Sequence, residues 1–528
     1  MNTALIYVRT SPVRRRRSRL LVALLALASA AGCAAGPSVR PALVENDGPA
    51  KSAAPSATPS VPLPPLGEPQ SSSLKWSDCD DDTRQRIGTP PVPDTLHFTC
   101  ARVPTPVDAP DEPRRSVMRL LALKVGDGPV PLVVVNDVSG EPGTIQAARL
   151  AATLPPAFLQ KFSLIGLDRR GTGMSGAVQC VPAEIRHDLI DADPAQGGLA
   201  DVLDAARKAG QQCAIELDDT QTALDSWRAA GDLDQLRQQL GMERLNALGR
   251  GDGSKVLADY AVRFPGQVGR MVLDGVPDPG PDSAAVLDAV AAGAQSTLDA
   301  FAADCAARAC SLGDPKAALA ALTGQLRQNI APLTDDGVAF GPGIAMFAVY
   351  TGLAQRSRWA ELADAIVAAK GGNIAPLALF AAPALHDSRA QPSRLDSTIA
   401  THCNDSQTRL SADQLDQVVA GMRAKYPEFG AVVAQQLAWC GPWPVRTEPL
   451  PPAGATGAPP ILVTATAADP VTPQVGTTRA ADQMPSAVTL TWQGAGHGAL
   501  GTSPCVTDAA QGFLIDGKIP ADGTLCPA

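Results

Sequence analysis

Three short stretches carry the residue types of a nucleophile–acid–base relay. Leu245-Asn-Ala-Leu-Gly-Arg-Gly-Asp-Gly-Ser254 has the form of a strained turn from a strand into a helix, with Gly249 and Gly253 letting the chain pass close to itself. Asp469 lies in Ala-Ala-Asp-Pro-Val-Thr-Pro473 and His497 in Gly494-Ala-Gly-His-Gly498. In such a relay the histidine takes the nucleophile's proton while the carboxylate fixes the imidazole's tautomer. The order and setting suit acyl transfer, yet Gly251 stands at the apex where the attacking hydroxyl is needed.

Ser254 is the nearest hydroxyl in the chain. It falls three residues into the helix, displaced by about 4.5 Å along the axis and turned by roughly 300°, whereas proton transfer needs about 2.6–3.2 Å. A first-turn serine is expected to bond the local backbone; the alternative, a substitute nucleophile, stays open. One oxyanion donor would be the backbone amide of Asp252, which follows the nucleophile position, and the run Pro131–Val135 leads into the loop Asn136-Asp-Val-Ser-Gly-Glu-Pro-Gly143, which includes Gly140. Asp137 and Glu141 bring negative charge into that loop. The Asp252 carboxylate would oppose a forming oxyanion by about 4 kcal/mol at roughly 4 Å and an effective dielectric near 20, unless it turns to solvent or pairs with Arg250.

The elements that must position these residues read as α/β. Short apolar runs at Val117–Val125, Pro131–Val135, Phe162–Leu167, Leu245–Leu248, Arg270–Leu273, Ile461–Thr464 and Val488–Trp492 look like buried strands. Stretches with helical spacing, such as Asp232–Leu240 and Lys255–Arg263, alternate with them, the pattern of a mostly parallel sheet. Residues 280–452 break the alternation. This alanine-rich interval is expected to be a helical cap over the strand ends, where ligands bind in open α/β sheets, or else a second domain with its own core.

Both ends of the chain carry further information. Residues 1–32 combine a basic stretch from Arg14 to Arg19 with a short apolar run and small residues, the form of an export signal. Cys33 after Ala-Ala-Gly resembles the lipobox of bacterial lipoproteins, the alternative being ordinary secretory cleavage nearby; the choice between the general and twin-arginine routes stays open. Residues 33–73 are rich in Pro, Ser, Ala and Gly and are expected to form an extended tether. Removing residues 1–32 takes away six arginines and no acids, moving the net charge from −9 to −15. A chain that acidic argues against nucleic acid as a partner.

Beyond Cys33 ten cysteines remain, in sequence-local couples: Cys79 with Cys100, Cys180 with Cys213, Cys305 with Cys310, Cys403 with Cys440 and Cys505 with Cys526. Spacing alone does not prove the pairing. Five disulfides would fit an oxidising compartment, and neither a metal nor a cofactor is expected, because a zinc site would want a tighter cluster. His97, His187, His386 and His402 sit in no motif and are expected to be ordinary surface or core residues.

The run Phe264-Pro-Gly-Gln-Val-Gly-Arg-Met-Val-Leu-Asp-Gly-Val-Pro-Asp-Pro279 resembles the secreted tripeptidyl aminopeptidases, relatives of the prolyl aminopeptidases. Agreement extends to Leu167-Asp-Arg-Arg-Gly-Thr-Gly-Met-Ser175, Asp232-Leu-Asp-Gln-Leu-Arg237, Cys403-Asn-Asp405 and the Asp469 and His497 loops. It covers about Trp76 to Cys526. The resemblance implies an α/β-hydrolase fold with a helical cap, and exopeptidase action at peptide N-termini. It places the family's nucleophile on Gly251 and its threonine on Ser254, and the family's oxyanion loop, Asn-Gly-Gly-Pro-Gly, on the altered loop from Asn136.

The expected organisation is therefore a signal (1–32), a tether (33–73), a hydrolase core in two parts (74–279 and 453–528) and a cap (280–452). The expected protein is a catalytically silent hydrolase relative on the outer face of a bacterial membrane, held by lipid at Cys33 or else secreted. It would bind a peptide or small envelope ligand in the cleft. The alternatives are a working hydrolase acting through Ser254 or another hydroxyl, and a purely structural lipoprotein.

Overall fold

The computed structural model describes residues 61–108, 116–195, 199–332, 339–388, 391–446, 448, 450 and 454–528. The export signal, Cys33 and the first part of the expected tether lie outside these residues. The rest of the tether is not free chain. Leu63 and Leu66 pack against the apolar core, the Pro64 carbonyl accepts from Arg270, and Ser73 bonds Gln239. Two leucines among the prolines supply the apolar area that holds this segment down.

The strands are β1 (Ser77–Asp78), β2 (Phe98–Pro106), β3 (Val117–Val125), β4 (Val130–Val135), β5 (Phe162–Leu167), β6 (Leu245–Arg250), β7 (Val268–Asp274), a small hairpin of β8 (Ala331–Pro332) and β9 (Ala339–Phe340), β10 (Ile461–Ala468), β11 (Ala487–Ala495) and β12 (Thr524–Cys526). The main sheet runs β1-β2-β3-β5-β4-β6-β7-β10-β11-β12. From β5 through β12 all neighbours are parallel, while β1, β2 and β3 form an antiparallel edge. Every expected apolar run is a strand of this sheet. β2 was not anticipated because Pro104 and Pro106 sit within it; both lie where the strand has β3 as its neighbour and β1 no longer reaches, so no ladder bond is lost on the open side.

Alternate residues of the central strands feed two apolar layers. Val133, Ala247, Met271 and Val463 face the helices Ser226–Gln239 and Asp252–Arg263. Leu132, Leu248, Val272 and Leu462 face helix Gly143–Thr153 and the C-terminal helix Pro504–Gln511. Burial on both faces is why these strands read as continuous apolar runs.

Between β7 and β10 the described residues are mostly helical, from Ser283–Ala307 to Gln436–Trp439, with the β8–β9 hairpin among the helices. Phe301, Phe347, Trp359 and Phe429 form its core together with Leu189, Val202 and Cys213. The helices Ala183–Ile190 and Ala200–Leu217, which precede the expected boundary at 279, thus share the core of the helical layer.

All five cysteine couples are joined as disulfides. Cys79 bonds to Cys100, fixing the start of helix Asp80–Ile87 on β2. Cys505 bonds to Cys526, fixing the last helix on the edge strand β12. Within the helical layer Cys180 bonds to Cys213, Cys305 to Cys310 and Cys403 to Cys440. The Cα separations run from 4.8 to 5.8 Å, within the range a disulfide spans.

The polar motifs outside the relay are structural joints. Arg170 is bidentate to Asp232 at 2.7 and 2.6 Å, both side chains buried, tying the loop after β5 to helix Ser226–Gln239. Asp405 accepts from the amide and hydroxyl of Ser226 at that helix's start, and Asn404 donates to the carbonyls of Gln221 and Leu224. These joints hold the helical layer on the sheet.

Candidate functional site

β6 ends at Arg250, the chain turns at Gly251 with φ 54° and ψ −126°, and the helix begins at Asp252. This is the strained apex of an elbow, in a region that residues with a Cβ enter only at a cost of roughly 1–3 kcal/mol. The chain is equally crowded on the helix side. A Cβ on Gly253 would lie 2.3 Å from the Val135 carbonyl at the end of β4.

Asp469 follows β10 and is fully buried, accepting from the amides of Val471 and Thr472 at 2.8 and 2.9 Å and from the Thr472 hydroxyl at 3.0 Å. His497 follows β11 and is 8% exposed. Its Nδ1 lies 3.0 Å from Asp469 Oδ2, and Arg250 donates to its carbonyl. The acid and base therefore meet as a relay requires, with the imidazole aimed at the elbow.

What the imidazole meets there is Asp137. A Cβ built on Gly251 would lie 1.7 Å from Asp137 Oδ1, about one covalent bond length, so the carboxylate fills the space a serine side chain would take. Oδ2 is 2.8 Å from His497 Nε2, the distance at which a base meets its nucleophile. Oδ1 accepts the Asp252 amide at 2.8 Å, the donor an oxyanion hole would use. One carboxylate takes the place of the hydroxyl, engages the base and consumes the oxyanion donor.

His497 is thus clamped between two carboxylates. Burial alone would lower its pKa, but Asp469 and then Asp137 reverse this and hold it at about 10. An imidazole that stays protonated at neutral pH cannot accept a proton from a hydroxyl. Burial opposes ionisation of Asp469 as well, yet His497 and the hydrogen bonds around it keep this carboxyl below its ordinary value.

Asp252 differs from expectation. Its carboxylate neither turns to solvent nor pairs with Arg250. Oδ1 accepts from Arg169 at 2.6 Å and from the Val138 amide at 2.9 Å. Burial works against its charge, but Arg169 and then His402 bring it down to about 2. Its charge is answered inside the protein, so the repulsion expected from it is removed; Asp137 is the group that blocks the oxyanion position.

Ser254 is fully buried, and its Oγ lies 3.5 Å from the Asp274 carbonyl. Asn136 donates to the Glu141 carbonyl at 2.8 Å, and the Gly140 amide bonds the Asp137 carbonyl at 3.1 Å. These contacts close the 136–143 loop into a turn that delivers Asp137. His402, expected to be ordinary, instead reaches the site from helix Arg394–Asp405, with Nε2 3.4 Å from Asp252 Oδ2. No local motif marks His402, whereas Asp137 was visible as a charge in the loop where the family resemblance implies glycines.

Similarity to known proteins covers most of the chain. Residues 426–526 match the family of TAP-like proteins. The chain is 27% identical over 492 residues to the serine protease Hip1 of Mycobacterium tuberculosis, covering 88% of this chain and 92% of that one. It is 28% identical to the tripeptidyl aminopeptidase of Streptomyces lividans over 69% of this chain and 70% of that one. The chain has an α/β-hydrolase fold and is similar in sequence to the tripeptidyl aminopeptidases. It is also 29% identical to carboxylesterase B of M. tuberculosis over 81% and 86% of the two chains. Among solved structures it is similar to a thermophilic esterase from Thermogutta terrifontis, with 14% identity, 75% and 91% coverage and a TM-score of 0.33.

Proposed function

We propose that this α/β-hydrolase relative is a binding protein without serine-type turnover, which takes a peptide or small envelope ligand at the mouth of the former catalytic cleft. The Asp137 carboxylate carries the reading. It occupies the nucleophile's place while both its oxygens are held, by Asp252 and His497. Loss of the nucleophile in a serine protease costs on the order of 10⁶ in kcat, and what then remains depends largely on the oxyanion hole. Here the amide that would serve that hole already has a carboxylate partner.

The test is to expose the purified mature protein to a serine-reactive fluorophosphonate and to tripeptidyl and aminoacyl reporter substrates. Neither labelling nor turnover above background is expected. Labelling that disappears in Ser254→Ala would overturn the reading.

The proposal includes export and a lipid anchor at Cys33, supported by the Ala-Ala-Gly-Cys motif and by the disulfides, which suit an oxidising compartment. Cells fed a labelled fatty acid are expected to label the wild-type chain and not Cys33→Ala. Equal labelling of both, or of neither, would rule the anchor out.

A further inference from the structure

A recess opens beside the blocked relay, between the 136–143 loop and the start of helix Arg394–Asp405. Its empty volume, counted out to the open mouth, is about 370 Å³. Little of that lies deep among the walls, so an end group of a ligand enters rather than a whole molecule.

The charged groups that line it are, with one exception, already answered. Asp137 is held by His497 at 2.8 Å. Glu141 is paired with Arg149 at 2.8 Å. Arg169 is paired with Asp252 at 2.6 Å. The hydroxyls at the wall are committed as well: Ser393 donates to the Ala384 carbonyl at 2.8 Å and Ser397 to the Gly171 carbonyl at 2.7 Å. Among the described residues the Arg394 guanidinium has neither a hydrogen-bond nor an ion-pair partner, and Arg394 lines the recess.

Arg394 is only partly exposed at the wall of the recess, and a planar oxyanion offers a guanidinium two parallel hydrogen bonds at once. We propose that Arg394 is the anchor of a ligand site that takes a carboxylate, specifically the C-terminal carboxylate of a short peptide. This rests on the reading of the protein as a binder and names the group that is bound. Because His497 and Arg149 answer the neighbouring acids, the recess keeps a net positive pole at Arg394. A dianion such as phosphate fits less well, since the one unanswered cation in the recess balances a single negative charge. Burial pushes the Arg394 guanidinium down, with Glu141 acting the other way.

The experiment is a calorimetric titration of the purified mature protein with trialanine as the free acid, with trialanine amide and with acetate. Wild type, Arg394→Gln and Arg394→Lys are compared, each checked by thermal melting. The free acid is expected to bind at least about tenfold more tightly than the amide, the scale of one charge-assisted pair. Arg394→Gln should lose that preference and Arg394→Lys should keep part of it.

Equal binding of acid and amide, or unchanged binding by Arg394→Gln, would overturn the Arg394 site while leaving the binder reading in place. If trialanine binds no better than acetate, the site takes any small carboxylate and the peptide assignment falls. If no ligand binds to any variant, the Arg394 site is overturned, and the binder reading loses its peptide.

Discussion

Gly251→Ser alone is expected to leave the protein without measurable peptidase turnover, even though it supplies the missing hydroxyl. The new Cβ would sit 1.7 Å from Asp137 Oδ1, a separation that non-bonded atoms do not tolerate, so the elbow or the 136–143 loop must shift. If the serine were accommodated, His497 would still be protonated between Asp137 and Asp469, and the Asp252 amide would still be donating to Asp137. The double variant Gly251→Ser/Asp137→Gly removes all three obstacles together. Its turnover of a tripeptidyl reporter should exceed that of the single variant by on the order of 10²–10³, the worth of one oxyanion donor, with restoration of the base adding to it. Fluorophosphonate labelling of the double variant and not the single one would give the same answer without a substrate. If Gly251→Ser alone reached the activity of the double variant, Asp137 would not be the block.

The second large effect concerns stability. In a working hydrolase the histidine is kept for catalysis; here it neutralises two carboxylates that are almost without solvent, Asp469 at 0% and Asp137 at 9% exposure. His497→Ala leaves them facing each other, and breaking a buried pair in this way costs about 3–5 kcal/mol. Asp137→Asn should cost under about 1.5 kcal/mol. The introduced side-chain carbonyl can still accept the Asp252 amide, and a neutral His497 can accept from the new NH₂ group while Nδ1–H donates to Asp469. Urea unfolding separates the two. A His497→Ala loss as small as that of Asp137→Asn would contradict the clamp.

The same clamp sets a pH dependence. His497 is held at about 10 in the folded protein against about 6.5 unfolded, so the folded state keeps the proton that the unfolded state releases. This contribution is fully present below about pH 6.5 and falls by up to about 1.4 kcal/mol per pH unit above it, until the folded group titrates near pH 10. Asp137→Asn should flatten that slope between pH 7 and 9. A wild-type stability no steeper than that of Asp137→Asn over this range would count against a protonated His497.

Much of the site was legible in the sequence because its parts are local. An elbow needs glycines at set offsets, and Asp469 and His497 follow apolar runs, so each announces itself within a few residues. The strands were legible for the same reason, since burial on both faces of a parallel sheet writes an uninterrupted apolar run. β2 was hidden by two prolines that only an edge position permits. The end of the tether was hidden because Leu63 and Leu66 acquire meaning only against a core formed by distant residues.

The sequence by itself determined the fold class, the relay order and the absence of a hydroxyl at Gly251. What stands in its place was decided by the tertiary structure. Asp137 and Gly251 are far apart along the chain, and a charge in a loop does not state which way its side chain turns. That direction is settled because β4 and β6 are sheet neighbours, the turn after β4 is closed by Asn136 and Gly140, and a glycine leaves a vacancy beside an imidazolium and a free amide. A carboxylate of the right reach fills it, since two charge-assisted hydrogen bonds are worth more there than exposure to water.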